Sequence, residues 1–127
     1  IIAGQGDVGI VNTYYYGRLA KNDPNIPLAL FWTNQSSGGV HGNVSGAGVV
    51  AASKNNAEAV TFLEWLSSER AQQIFADVNM EYPVTPDVPV NPTVSSWGSF
   101  QQNKINLRNA GENQAAAIRL MDRVGYK

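Results

Sequence analysis

The sequence predicts an α/β fold in which a sheet is flanked by helices, and two observations carry that prediction. Short apolar runs at residues 8–11 (Val-Gly-Ile-Val) and 28–32 (Leu-Ala-Leu-Phe-Trp) have the length of buried strands. Further along, three sets of apolar residues recur at i, i+3, i+4 and i+7, the spacing of one helix face. The resulting order is strand, helix, strand, strand, then helices, which suits a sheet covered by helices.

Each element has a local reason. Gly4 and Gly6 read as the stop of a helix, leading into the first strand. Asn12 and Thr13 are good helix N-caps for residues 14–21, which end at Asn22-Asp-Pro-Asn25. Residues 33–42 form a polar, Gly-rich loop after the second strand. Residues 43–52 carry Val44, Val49 and Val50 with Gly46 and Gly48, as in a strand where backbones approach closely or a crossing point between two packed units. The first stripe is Ala59, Phe62, Leu63 and Leu66, preceded by a candidate capping box of Asn55 and Glu58. Ser67-Ser68 separates it from the stripe Ala71, Ile74, Phe75 and Val78 and is expected to cap that second helix. Four prolines within residues 82–92 then forbid helix and central strand, predicting an extended connection. The last stripe, Ala117, Leu120, Met121 and Val124, is stopped by Gly125. A chain that opens at a helix terminus and closes on a finished helix reads as the C-terminal part of a larger protein.

Composition narrows the function. The 127 residues are enough for one core, and 43% apolar with 15% charged content opposes charge-driven disorder. Nine basic and ten acidic side chains give a net charge of −1, without the basic excess of a nucleic-acid binder. No apolar run approaches the roughly 18 residues that suggest a membrane span. Cysteine is absent and His41 is the single histidine, which excludes thiolate chemistry, Cys-type zinc and a His cluster within this chain. Glu58, Glu64, Glu69 and Asp77 flank the stripes as solvated faces. Gly4-Gln-Gly-Asp-Val-Gly9 has dinucleotide-loop spacing but precedes its strand, so the required context fails. With no general base in view, an enzyme is not expected.

The chemistry points to Asn12-Thr-Tyr-Tyr-Tyr-Gly17. Ligands of open α/β sheets sit beyond the C-terminal ends of strands, and a helix N-terminus there favours anionic oxygen. Two neighbouring tyrosines at a strand–helix junction can reach one point. Phenols, with a pKa of about 10, make most sense as a pair where a hard trivalent cation takes them as phenolates. Packing, with the hydroxyl in water, is the other role of tyrosines at a helix start, and spacing alone leaves both open. Tyr16 points away from Tyr14 and is assigned to packing. Asn12 can cap the helix, bind an anion, or both, with capping favoured. His41 reads as an exposed or locally bonded loop residue, and Ser36-Ser-Gly-Gly39 as a turn in preference to an anion nest.

Residues 4–19, Gly-Gln-Gly-Asp-Val-Gly-Ile-Val-Asn-Thr-Tyr-Tyr-Tyr-Gly-Arg-Leu, resemble the iron-site segment of periplasmic ferric-ion-binding proteins, the solute receptors of iron ABC transporters. The resemblance continues through residues 41–46, 59–68, 71–76, 81–84 and 110–127. It implies the C-terminal portion of a two-lobed type II periplasmic binding protein that closes on ferric iron. By position in the motif, Tyr14 and Tyr15 are the metal ligands and Asn12 falls where some relatives contact a companion anion. Further ligands would come from the first half of such a chain. The resemblance also implies that residues 1–44 belong to the second lobe, 45–95 cross to the first, and 96–127 return with the C-terminal helix. Its implied partners are Fe3+ and an inner-membrane permease, in the periplasm. A same-fold receptor for an anion, polyamine or organic ligand is the alternative.

Burying one large apolar side chain contributes roughly 1.5–3 kcal/mol. Two middle stripes without a partner would forgo on the order of 10 kcal/mol, a typical domain's whole net stability. Those helices are therefore expected to pack on each other, on a second copy, or on the missing N-terminal part.

Overall fold

Helix signals in the sequence translate directly into helices in the computed structural model, which describes residues 1–126. The first, α1 (Thr13–Asn22), opens straight after Asn12 and closes with the Asp23 N–H donating to the Leu19 carbonyl at 2.9 Å. Helices α2 (Asn56–Leu66) and α3 (Glu69–Asn79) are the two middle stripes. The Ser68 hydroxyl caps α3 by accepting from the Ala71 N–H at 3.3 Å. Pro92 begins the one-turn helix α4 (Pro92–Ser95), where its missing N–H costs nothing, and the Asn91 side chain accepts from Thr93 N–H. Helices α5 (Leu107–Glu112) and α6 (Gln114–Arg123) follow, and Gly125 ends the run in a left-handed conformation at φ 67.

The expected sheet is not formed among the described residues. Their one β-type pairing is an isolated parallel bridge between Val40 and Gln102. Residues 8–11, 28–32 and 43–50 take no strand assignment, and residues 51–52 form a turn. Val8, Ile10 and Phe31 are 87%, 102% and 83% exposed. A strand exists only through a ladder of hydrogen bonds to a neighbouring backbone, and among the described residues no such ladder runs along these segments. Two smaller expectations also change. The chain opens in a turn at Gly4, whose N–H reaches the Ile1 carbonyl, not at a helix end. Asn55 occupies the N-cap of α2, yet its side chain makes no cap bond, so no capping box forms with Glu58.

The chain divides into two compact units. The first comprises Ile1–Trp32 and Asn43–Ser99, and its core is Ala71, Ala76, Met80, Val88 and Val94. Both α1 and α2 pack on α3. Of the α2 stripe, Ala59, Leu63 and Leu66 are half-buried, while Phe62 turns outward and stacks on Trp65 at 5.8 Å. The middle helices thus use each other as partners but leave Val60, Phe62, Ile74 and Val78 in water. Buried Gln72 ties three segments together: its amide nitrogen donates to the Leu66 carbonyl at 2.8 Å, and its amide oxygen accepts from the Val84 N–H at 2.9 Å. This holds the proline-rich connection against the α2–α3 corner.

The second unit joins Thr33–Gly42 with the chain from Phe100 on. Val40 accepts from and donates to the 101–103 backbone, at 2.8 Å from Asn103 N–H and 2.9 Å to the Gln101 carbonyl. Gln35 adds a side-chain clasp, accepting from Gln101 N–H. Gly39 is required there: its φ is +87, and a Cβ would meet the Gln101 carbonyl oxygen at 2.5 Å. Residues 33–38 are turns, and the Gly39 N–H closes on the Asn34 carbonyl at 2.8 Å, in keeping with the turn expected of Ser36-Ser-Gly-Gly39. All described residues of α5 and α6 are exposed, so the stripe of Ala117, Leu120, Met121 and Val124 covers nothing within this unit.

Candidate functional site

The first turn of α1 gathers the tyrosine pair. The rings of Tyr14 and Tyr15 lie side by side, with centroids 4.6 Å apart and planes tilted by 52°. Tyr14 is half-buried and Tyr15 is 50% exposed, so the pair lies at the surface of the unit. Tyr16 leaves the other way and packs on the Trp97 ring at 5.7 Å. That is the packing role expected of it.

Asn12 behaves differently from its expected role. It sits at the N-cap position with extended backbone, but its side chain makes no cap bond. Its amide nitrogen instead donates to the Tyr14 hydroxyl at 3.1 Å. Asn12 therefore joins Tyr14 in one polar cluster. His41, by contrast, is an exposed residue of the second unit.

Two charged residues join the cluster that the sequence reading left unassigned. The Arg18 guanidinium lies over both rings, 5.3 Å from the Tyr14 centroid and 5.8 Å from that of Tyr15. The signal was present: positions 14 and 18, and 15 and 18, are i,i+4 and i,i+3 neighbours on one helix face. Glu81, which follows α3, is near enough for its carboxylate to act on Tyr14. No local pattern could reveal that neighbour, since 66 residues of chain separate the two.

These neighbours set the electrostatics. The hydrogen bond with Tyr15 raises the Tyr14 phenol above its ordinary value, and partial desolvation and the charges on Tyr15 and Glu81 act in the same direction. Arg18 opposes them. Tyr14 is thus a neutral hydroxyl at neutral pH, and a cation that binds it must displace its proton. Among the described residues no three His, Cys, Asp or Glu side chains cluster as a metal site would require. The oxygen donors assembled at the α1 start are the two phenols. Such hard donors suit hard, highly charged ions.

Comparison with known proteins gives the site its context. The family described as bacterial extracellular solute-binding protein matches residues 1–73, which include the tyrosine segment and all of α1 and α2. Iron uptake protein A2 of Synechocystis is 44% identical over all of this chain, which spans 39% of that protein. The Fe(3+)-binding periplasmic protein of Serratia marcescens is 29% identical over 97% of this chain and 37% of its own length. The solved structure of the Trichodesmium protein IdiA (FutA) in complex with iron and citrate superposes with a TM-score of 0.86 at 42% identity, covering 99% of this chain and 42% of that one. The chain spans about two-fifths of the length of these relatives and shares the fold of that part. It belongs to the bacterial extracellular solute-binding protein family.

Proposed function

We propose that this chain carries the tyrosine half of a periplasmic ferric-iron receptor, a solute-binding component that passes Fe3+ to an inner-membrane ABC permease and performs no turnover itself. Tyr14 and Tyr15 are its phenolate ligands, and Asn12 holds Tyr14 in place and faces a companion anion. The observation that carries this reading is the juxtaposition of two phenol rings at one helix start, at the surface of the unit. Relatives whose names or solved complexes specify iron support it. The remaining ligands come from the rest of the receptor. The α/β sheet belongs to the same proposal, with residues 8–11 and 28–32 as strands paired with that remainder. So do the lobe crossings near residues 45 and 95, which act as the hinge of a closing clamshell.

The test is a titration of the whole receptor with ferric citrate, followed by the visible phenolate-to-iron charge-transfer band. Tyr14→Phe and Tyr15→Phe are each expected to diminish the band and weaken binding by at least about tenfold, since each removes one anionic donor. An unchanged band in both variants would overturn the assignment. Saturable binding of an organic solute with no dependence on metal would instead favour a receptor of the same scaffold for a different ligand.

A further inference from the structure

We propose that Gly17 is a positioning residue for the tyrosine pair, because its lack of a side chain seats α1 directly on Met80 and Trp97. This rests on the ferric reading of Tyr14 and Tyr15 above. Gly17 is the only fully buried residue of α1. A Cβ there would lie 2.7 Å from Met80 Cβ, 2.9 Å from Met80 Cγ and 3.1 Å from Trp97 Cη2.

Side-chain rotation cannot relieve the closest of these contacts. Met80 Cβ is fixed to its own backbone, and Met80 is 3% exposed at the end of α3. Its backbone is itself set by the left-handed conformation that closes the helix, φ 59 and ψ 39. The separation between the two positions therefore measures how closely two backbones approach. Carbon atoms prefer about 3.5–4.0 Å, so a methyl group at position 17 would lift α1 by about 1 Å.

That displacement acts on the site. Tyr14 and Tyr15 stand three and two residues before Gly17 on the same turn, and Tyr16, between the pair and Gly17, packs on Trp97, part of the same seat. Lifting α1 keeps the two phenols together but moves both relative to every other group that faces them. Glu81 is one such group, since it directly follows Met80 and acts on Tyr14. Donors from the remainder of the receptor are others. Gly17 touches no metal in this scheme and acts only through where the helix rests.

The experiment uses the whole receptor, with ferric citrate as the probe, in four forms: wild type, Gly17→Ala, Met80→Gly, and both together. Met80→Gly removes the opposing Cβ and Cγ, and glycine adopts the left-handed conformation freely. Gly17→Ala is expected to weaken iron binding at least ~10-fold and to shift the charge-transfer band, with a cooperative unfolding transition retained. Met80→Gly alone opens a cavity beneath α1 and weakens binding itself, so it is the reference for the double variant, in which the Gly17→Ala effect should disappear. Wild-type binding by Gly17→Ala, or a double variant at least ~10-fold weaker than Met80→Gly, would overturn the proposal. If Gly17→Ala does not fold, the double variant still decides, because a seat defined by the Cβ contact predicts that it folds and binds as Met80→Gly does, and a double variant that falls short of Met80→Gly refutes it. Tyr14→Phe and Tyr15→Phe run alongside. If those leave the band intact, the ferric reading has failed; if they abolish it while Gly17→Ala does not alter it, only the positioning role has failed.

Discussion

At the scale of single residues, the cluster of Asn12, Tyr14, Tyr15 and Arg18 fixes how iron uptake should respond to acidity. Tyr14 is held protonated by its hydrogen bond with Tyr15, so binding as phenolate releases its proton. A phenol raised above its ordinary pKa loses its proton less readily, which makes the metal's competition with the proton harder at neutral pH without changing its slope. Affinity must therefore fall as pH falls, by about tenfold per pH unit for each proton displaced. Potentiometric titration of proton release on adding ferric citrate to the whole receptor checks this, and Tyr14→Phe should release one proton fewer. The pair itself was legible in the sequence as adjacent tyrosines after an apolar run. The role of Asn12 was less so, because a cap and a phenol contact demand the same residue type at the same place. Gly17 and Glu81 were illegible, since both act through contacts with residues more than sixty positions away.

Among elements, legibility follows the range of the interaction that makes each one. The four-residue stripes of α2, α3 and α6 foretold helices because helix hydrogen bonds are local. The Ser68 cap was readable for the same reason. Strands were not secured by composition, since residues 8–11 and 28–32 need a neighbour that the described residues do not supply. Gln72 shows the converse: a polar residue in the middle of α3, it is buried because it completes hydrogen bonds for α2 and for the connection at Val84. Gln72→Leu strands the Leu66 carbonyl and the Val84 N–H together, and each unsatisfied buried group costs about 1–3 kcal/mol. Urea unfolding should show the loss, and Gln72→Glu should not restore it, because a carboxylate cannot donate to the Leu66 carbonyl.

For the whole molecule, the exposed apolar runs are the main physical statement. Val8, Ile10, Val11 and Phe31 face water in the isolated chain, a placement that a sheet in the intact receptor would reverse. Backbone amides of residues 8–11 and 28–32 should exchange with deuterium rapidly in the 127-residue chain and at least ~100-fold more slowly in the whole receptor. Equal rates in both would remove the sheet from the proposal. The exposed face of α6 and the outward pair Phe62 and Trp65 are further places to look for protection in the same experiment.

The contact between Tyr16 and Trp97 has an optical consequence. An indole 5.7 Å from the residue that follows the phenol pair is a built-in chromophore at the site. Its emission would be lowered by a metal complex on those phenols whose absorption overlaps indole emission, against a background from Trp32, whose indole N–H donates to the Trp97 carbonyl, and from Trp65 on α2. In the receptor proposed above, cargo occupancy should therefore register as a fall in intrinsic emission, with no dye attached.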